Sequence, residues 1–241
     1  SYLKIVQPSE AGIVKEILVR EGEEVRTGQI LMRMDALMSG ADLEAIRAEH
    51  ARKQLQIERI GAELSGQVFV TETKAPVALL REVQGQFKAN RDALAAALAE
   101  ERSRLNKAQQ ELATARQQKI RLETVLPHYR EQDKAYEQLV KNGFAGTLMG
   151  SDKRRERIEK EQELATQEHV IASAQASIEQ SHKKLRQIEA DYQRNLHAER
   201  NEVQSQLDKL AAELEKQQHR HELLELKAPQ DGIIKNLATH T

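Results

Sequence analysis

Cysteine is absent from the chain. That excludes a disulfide framework, a thiolate nucleophile and thiolate-based zinc sites, and it is compatible with an oxidising compartment. Tryptophan is absent too, and only four Tyr and three Phe remain, too few for an aromatic-rich globular core. No apolar run approaches the ~20 residues of a membrane span, and no signal-peptide pattern is present. Charge of one sign is not in excess: 37 Lys and Arg face 38 Asp and Glu, which argues against a general nucleic-acid binder needing a basic surplus. No Gly-rich loop followed by Lys and Ser or Thr exists, so nothing in the chain reads as a nucleotide cradle.

What the chain has in abundance is Ala, Glu, Gln, Leu, Lys and Arg in its middle, the profile of a coiled coil. Leu94, Glu101, Ala108, Ala115, Leu122, Tyr129 and Tyr136 alternate with Leu98, Leu105, Leu112, Lys119, Leu126, Asp133 and Val140. The steps are strictly four and three, as a left-handed coiled coil requires. Lys119 and Asp133 are polar intruders that fix register at some cost in stability, and Pro127 removes one hydrogen bond and weakens or kinks the helix locally. A returning seam runs through Ile171, Ala174, Ile178, Leu185, Ile188, Tyr192, Leu196, Val203, Leu207, Leu210, Leu214 and Leu224. Near Tyr192 and Leu207 two four-residue steps follow each other, a stutter that relaxes the supercoil.

These patterns predict a mainly α fold: a long antiparallel helical hairpin, plus a short extra helix, inserted into a split β-domain. The expected divisions are 1–37 for the first β-half, 38–226 for the helical part and 227–241 for the start of the second β-half. Within the helical part we expect a helix over 40–64, a linker over 65–76, helices over 77–142 and 148–226, and a tip over 143–147. A helix of roughly 65 residues spans on the order of 100 Å. Val68-Phe69-Val70 is β-prone, and Pro76 suits a first helical position. At the tip, Lys141-Asn142-Gly143 is a helix stop with Gly as the left-handed cap, and Thr147 or Ser151 can cap the next helix.

The β-halves carry matching strings. Ala11-Gly12-Ile13-Val14-Lys15-Glu16-Ile17 parallels Asp231-Gly232-Ile233-Ile234-Lys235-Asn236-Leu237. Leu3-Lys4-Ile5-Val6, the run from Ile13 to Val19, and Ile30 to Met34 are candidate strands, with tight turns at Gly22 and Gly28. So few strands cannot bury a core alone and need the C-terminal half as partner. The chain begins at Ser1 without Met and stops at Thr241 inside an unfinished β-domain, so it reads as an excised fragment.

The string from Gly12 to Leu31, and again Lys227 to Ile234, resembles a biotinyl/lipoyl half-motif. Carrier domains present a modifiable Lys on the joining hairpin. Here that position, Met34-Asp35-Ala36-Leu37, has none, so no cofactor is expected. A lipoyl fold split at this hairpin by a long coiled coil resembles the HlyD-type periplasmic adaptor (membrane fusion) proteins, most of all their type I secretion branch.

The resemblance implies a non-enzymatic adaptor, anchored in the bacterial inner membrane by a segment outside the fragment and otherwise periplasmic. It implies partnership with an inner-membrane ABC transporter and a TolC-like outer-membrane channel for protein export, in a homo-oligomeric ring usually of six. The family's tip often carries an Arg, a Leu four residues later and a Ser seven beyond. Leu139 matches the Leu; Ala135 and Gly146 stand at the other two positions. The partner-binding residues expected at the tip are therefore Leu139, Asn142, Gly143, Phe144, Ala145, Gly146 and Thr147. Phe144 is singled out because nothing obvious buries it.

An adaptor for multidrug efflux, a biotin- or lipoate-carrying enzyme subunit and a coiled-coil scaffold are the alternative readings. His219 and His221 lie two apart on a helix and face different directions, against a metal site. No paired-carboxylate or Ser-His arrangement stands out. Tyr129, Tyr136 and Tyr192 read as packing residues, and Asp35 and Asp231 as turn formers.

Overall fold

The computed structural model describes residues 3–8, 13–35 and 40–237, the side chain of His221 excepted. Ala11, Gly12, Ala36 and Leu37, named above in the half-motif and hairpin, lie outside the described residues. The elements in order are β1 (Val14–Ile17), β2 (Glu24–Val25), β3 (Ile30–Met34), α1 (Gly40–Ser65), α2 (Val77–Lys141), α3 (Thr147–Leu223), β4 (Glu225–Lys227) and β5 (Gly232–Ile233). The chain divides into two units. One holds Ser1–Phe87 with Leu196–Thr241, the other Lys88–Asn195.

In the first unit the strands from the two ends of the chain pair with one another. β3 lies between β1 and β4, and β2 pairs with β5, all antiparallel. Met32 stands opposite Leu226 and Val25 opposite Gly232. Gly22 and Gly28 take the positive φ that their tight turns demand. Their amides donate across the split, Gly22 to Ile234 O at 2.9 Å and Gly28 to Ala228 O at 2.7 Å. Val19, Val25, Leu31 and Ala228 form a buried cluster, with Ile234 and Leu237 packed on it. Neither half owns this core. Asp231 is more than a turn former: one carboxylate oxygen accepts both the Thr27 amide at 2.6 Å and the Thr27 hydroxyl at 2.9 Å. Those two bonds, the backbone one foremost, hold its pKa below the usual carboxylate value.

The same unit contains a helical junction. Leu55 of α1 is fully buried with Phe69, Leu79 and Val83. Phe69 comes from the segment between α1 and α2, which is not a strand; its burial at a helix junction overrides the β propensity of Val68-Phe69-Val70. The hydroxyls of Thr71 and Thr73 both donate to the Glu58 carboxylate, clipping the segment onto α1. Arg59, with 0% exposure, bonds Glu63 one turn on and Glu199 of α3.

In the second unit α2 and α3 run antiparallel, and the heptad positions face inward. Ala108, Ala115, Leu122, Leu126 and Ala174 are buried, and the other seam residues of α2 in this unit are buried or half-buried. Both polar intruders find opposite charge on the facing helix. Lys119 pairs with Glu168 at 3.2 Å, and Asp133 with Arg157 at 2.7 Å. The Lys119 pKa is raised, chiefly by the hydrogen bond to Glu168, and that of Arg157 chiefly by Asp133. α2 is continuous through Pro127.

Each expected helix limit but the starts of α1 and α2 shifts by one to three residues, with α1 ending at Ser65 and α3 starting at Thr147, and one expected strand is absent. α3 stops at Leu223 rather than 226, because Glu225, Leu226 and Lys227 pair with β3 and Leu224 O accepts the Met34 amide at 2.8 Å. Leu224 therefore lies beyond the helical seam. α2 ends at Lys141, so Asn142 belongs to its cap. Leu3 to Val6 forms no strand and is exposed.

Candidate functional site at the hairpin tip

The turn between α2 and α3 is built by two backbone devices. Gly143 has φ +75°, and the Phe144 amide reaches back to Leu139 O at 2.8 Å while Gly143 N donates to Val140 O at 3.1 Å. This pair of bonds is the Schellman motif, with Gly at the left-handed position. α3 then starts from the Gly146 carbonyl, which accepts the amides of Met149 at 3.2 Å and Gly150 at 3.4 Å. Gly146 is thus the cap, and Thr147, a candidate cap from sequence, is the first helical residue.

The turn leaves its apolar side chains in solvent. A Schellman motif usually folds the residue after the left-handed position onto the last helical turn. Phe144 occupies that position and is 80% exposed. Leu148 is 74% exposed, Met149 52% and Leu139 39%. Sequence reading named Leu139 and the run Asn142–Thr147 but missed Leu148 and Met149. The available signal was their place in the first turn of α3, off the seam. It also missed Gly150, where an added Cβ would sit 3.0 Å from Val140 Cγ2; this glycine lets α3 close onto α2 directly behind the tip.

Ion pairs brace the hairpin below that point. Asp133 is shared by Arg157 at 2.7 Å and Arg154 at 4.0 Å, and Glu161 by Arg157 at 2.9 Å and Arg130 at 3.0 Å. Glu161 titrates below its usual value, the Arg130 hydrogen bond contributing most. Lys153 lies 5.9 Å from the Tyr136 ring centroid and 3.2 Å from Glu156. No cluster of three or more metal-ligating side chains occurs among the described residues, and no described helix is long and apolar enough to cross a membrane.

Residues 39–220 match the family model described as AprE, long alpha-helical hairpin. This chain belongs to that family. The family is that of HlyD-type membrane fusion proteins, in the type I secretion branch. The chain is 29% identical over 256 aligned residues to the type I secretion system membrane fusion protein PrsE of Rhizobium meliloti, an alignment covering 99% of this chain and 56% of that protein. Shorter matches join it to haemolysin secretion protein D of Escherichia coli (40% identical, 24% of this chain, 12% of that one). A third is the alkaline protease secretion protein AprE of Pseudomonas aeruginosa (36% identical, 26% and 15%). The chain thus spans about half the length of the first of these membrane fusion proteins and far less of the others.

The fold is also that of the soluble domain of LipC, a membrane fusion protein of a type I secretion system. The TM-score is 0.85 at 19% identity, over 98% of this chain and 92% of that one. The periplasmic adaptor protein EmrA is a more distant likeness, with a TM-score of 0.54 at 14% identity, over 97% and 65%.

Proposed function

We propose that the chain is the hairpin-bearing part of a periplasmic adaptor that bridges an inner-membrane ABC transporter to a TolC-like outer-membrane channel for protein export. In this reading it works as a homo-oligomer, is anchored in the inner membrane by the rest of the protein, and performs no chemistry of its own. The transporter supplies the energy. The observation that carries the reading is the tip: a rigidly capped turn in a type I secretion hairpin, with Phe144, Leu148 and Met149 held out in solvent. Exposed apolar clusters of this kind mark contact surfaces. Leu139, Asn142, Gly143, Phe144, Ala145, Gly146 and Thr147 are the partner-binding residues proposed, joined by Leu148 and Met149.

The chain has no cysteine of its own to compete with an introduced one. In the full-length protein, single Cys residues replace Lys141 beside the tip or Ala176 on the exposed side of α3, and each carries a photoactivatable maleimide. Cross-linking to an outer-membrane channel in cells from position 141 and not from 176 is the expected result. No link from either position, with the protein folded and exported, sinks the reading.

A further inference from the structure

The tip's chemistry narrows what it docks onto. Gly143, Phe144, Ala145 and Gly146 offer no polar side chain, and hydrogen-bonding side chains appear only at the flanks, on Asn142 and Thr147. Apart from Lys134, further down α2, the nearby cations are already matched within the hairpin. Lys141 pairs with Glu137 at 3.4 Å, Lys153 with Glu156 at 3.2 Å, Arg154 with Asp133 at 4.0 Å and Arg155 with Asp152 at 3.3 Å. What remains at the tip is a set of exposed apolar side chains, Phe144, Leu148, Met149 and Leu139. Its footing is stiff, because the Schellman bonds fix Phe144 and the Gly150–Val140 approach lets the two helices close behind it. A preformed knob loses little conformational freedom on docking.

We infer that the tip docks as an apolar knob into an apolar socket on its outer-membrane partner, with Phe144 and Leu148 as anchors, rather than through charged or hydrogen-bonding side chains. The inference rests on the adaptor reading above. Two physical consequences follow. Docking is insensitive to salt, since its anchors carry no charge and screening acts on charges. One tip is also a weak ligand. Its apolar area is roughly 300–400 Å² by the size of such side chains, below the ~800 Å² per partner of a standard stable interface. Several tips acting in one assembly supply the difference by avidity.

The test keeps Lys141→Cys as reporter in the full-length protein and adds substitutions on the same background. Phe144→Ser with Leu148→Ser is expected to cut the cross-link to the channel at least tenfold. Phe144→Leu retains it, and Lys134→Ala with Arg155→Ala, which removes two exposed charges below the tip, leaves it within about threefold. In isolated cell envelopes, raising NaCl from 0.05 to 0.5 M changes the yield by less than about twofold, by the screening argument. A cross-link that survives the double Ser variant, or one that collapses in the Lys134/Arg155 variant or in high salt, overturns the apolar knob while leaving the adaptor reading intact. No cross-link from the reporter alone overturns both. All these positions are exposed and outside the seam, so folding is checked by circular dichroism and by export.

Discussion

Arg59 shows how much one side chain can hold at the junction of three helical segments. It is wholly buried, bonds Glu63 within α1 at 2.5 Å, and reaches across to Glu199 on α3. Removing one partner of a buried pair leaves the other charge without compensation, at a cost of about 3–5 kcal/mol. Arg59→Ala should therefore lower the urea-unfolding stability of the full chain by about that amount. Replacing the pair together, as Arg59→Met with Glu63→Leu, should recover most of the loss, because apolar side chains of similar volume carry no desolvation penalty. A double variant as weak as the single one would show that the charge Arg59 offers Glu199, not its packing volume, is what the junction needs. Phe144 is the counterpart at the tip, a side chain whose value lies outside the chain. Its exposure was legible in the sequence, because no seam position claimed it. The burial of Arg59 was not, because it depends on where α1 lands against α3.

At the scale of elements, α2 tolerates a proline that ordinary helix chemistry disfavours. Pro127 sits between Leu126, which is buried in the seam, and His128, and the helix runs on through it. Proline lacks the amide that would bond residue 123 and costs roughly 3 kcal/mol in a helix interior relative to alanine. Seam packing on both sides offsets that cost. Pro127→Ala is expected to stabilise the hairpin by about 1–3 kcal/mol and to slow amide exchange in the turn around residues 123–131. An unchanged exchange pattern would mean the ladder is already restored by other means. The seam itself was readable residue by residue, since a 3.5-residue repeat has one geometric solution when a short turn forces the helices antiparallel. The partners of its polar intruders were not readable. Glu168 opposite Lys119 and Arg157 opposite Asp133 follow from the register of α3 against α2, which no spacing within one helix contains.

At the scale of the whole molecule, two ends of the chain complete one β-domain, and Thr27–Asp231 is a clasp between them. The carboxylate of Asp231 is held below its usual pKa by the Thr27 amide first and the hydroxyl second. A group whose folded pKa is depressed stabilises the fold above its unfolded value, and that contribution is lost as the pH falls through the folded value. Acidification below the ordinary carboxylate range should thus loosen the pairing of β2 with β5, read as faster exchange of the Thr27 and Ile234 amides. Asp231→Asn should abolish the pH dependence at Thr27; if it persists, another group governs it. A second expectation concerns the assembled protein. If several tips dock together, copies bearing Phe144→Ser and Leu148→Ser co-expressed with the parent chain should depress export more steeply than their fraction. A linear fall would mean each tip acts alone.

The sequence by itself determined the mainly helical hairpin, its seam, the glycine-capped turn at residue 143 and the split of a β-domain between the two ends. Each of these depends on local geometry: a repeat of fixed period, a φ that favours glycine, or a half-motif short enough to recognise in isolation. The tertiary structure alone decided that α3 yields to strand pairing after Leu223, that Phe69 is buried and Val68-Phe69-Val70 forms no strand, and that Leu148 and Met149, like Phe144, stand exposed. Those outcomes depend on which distant surface arrives first to bury a side chain or pair a backbone. Solvent exclusion and hydrogen bonding settle that only once the elements are in place.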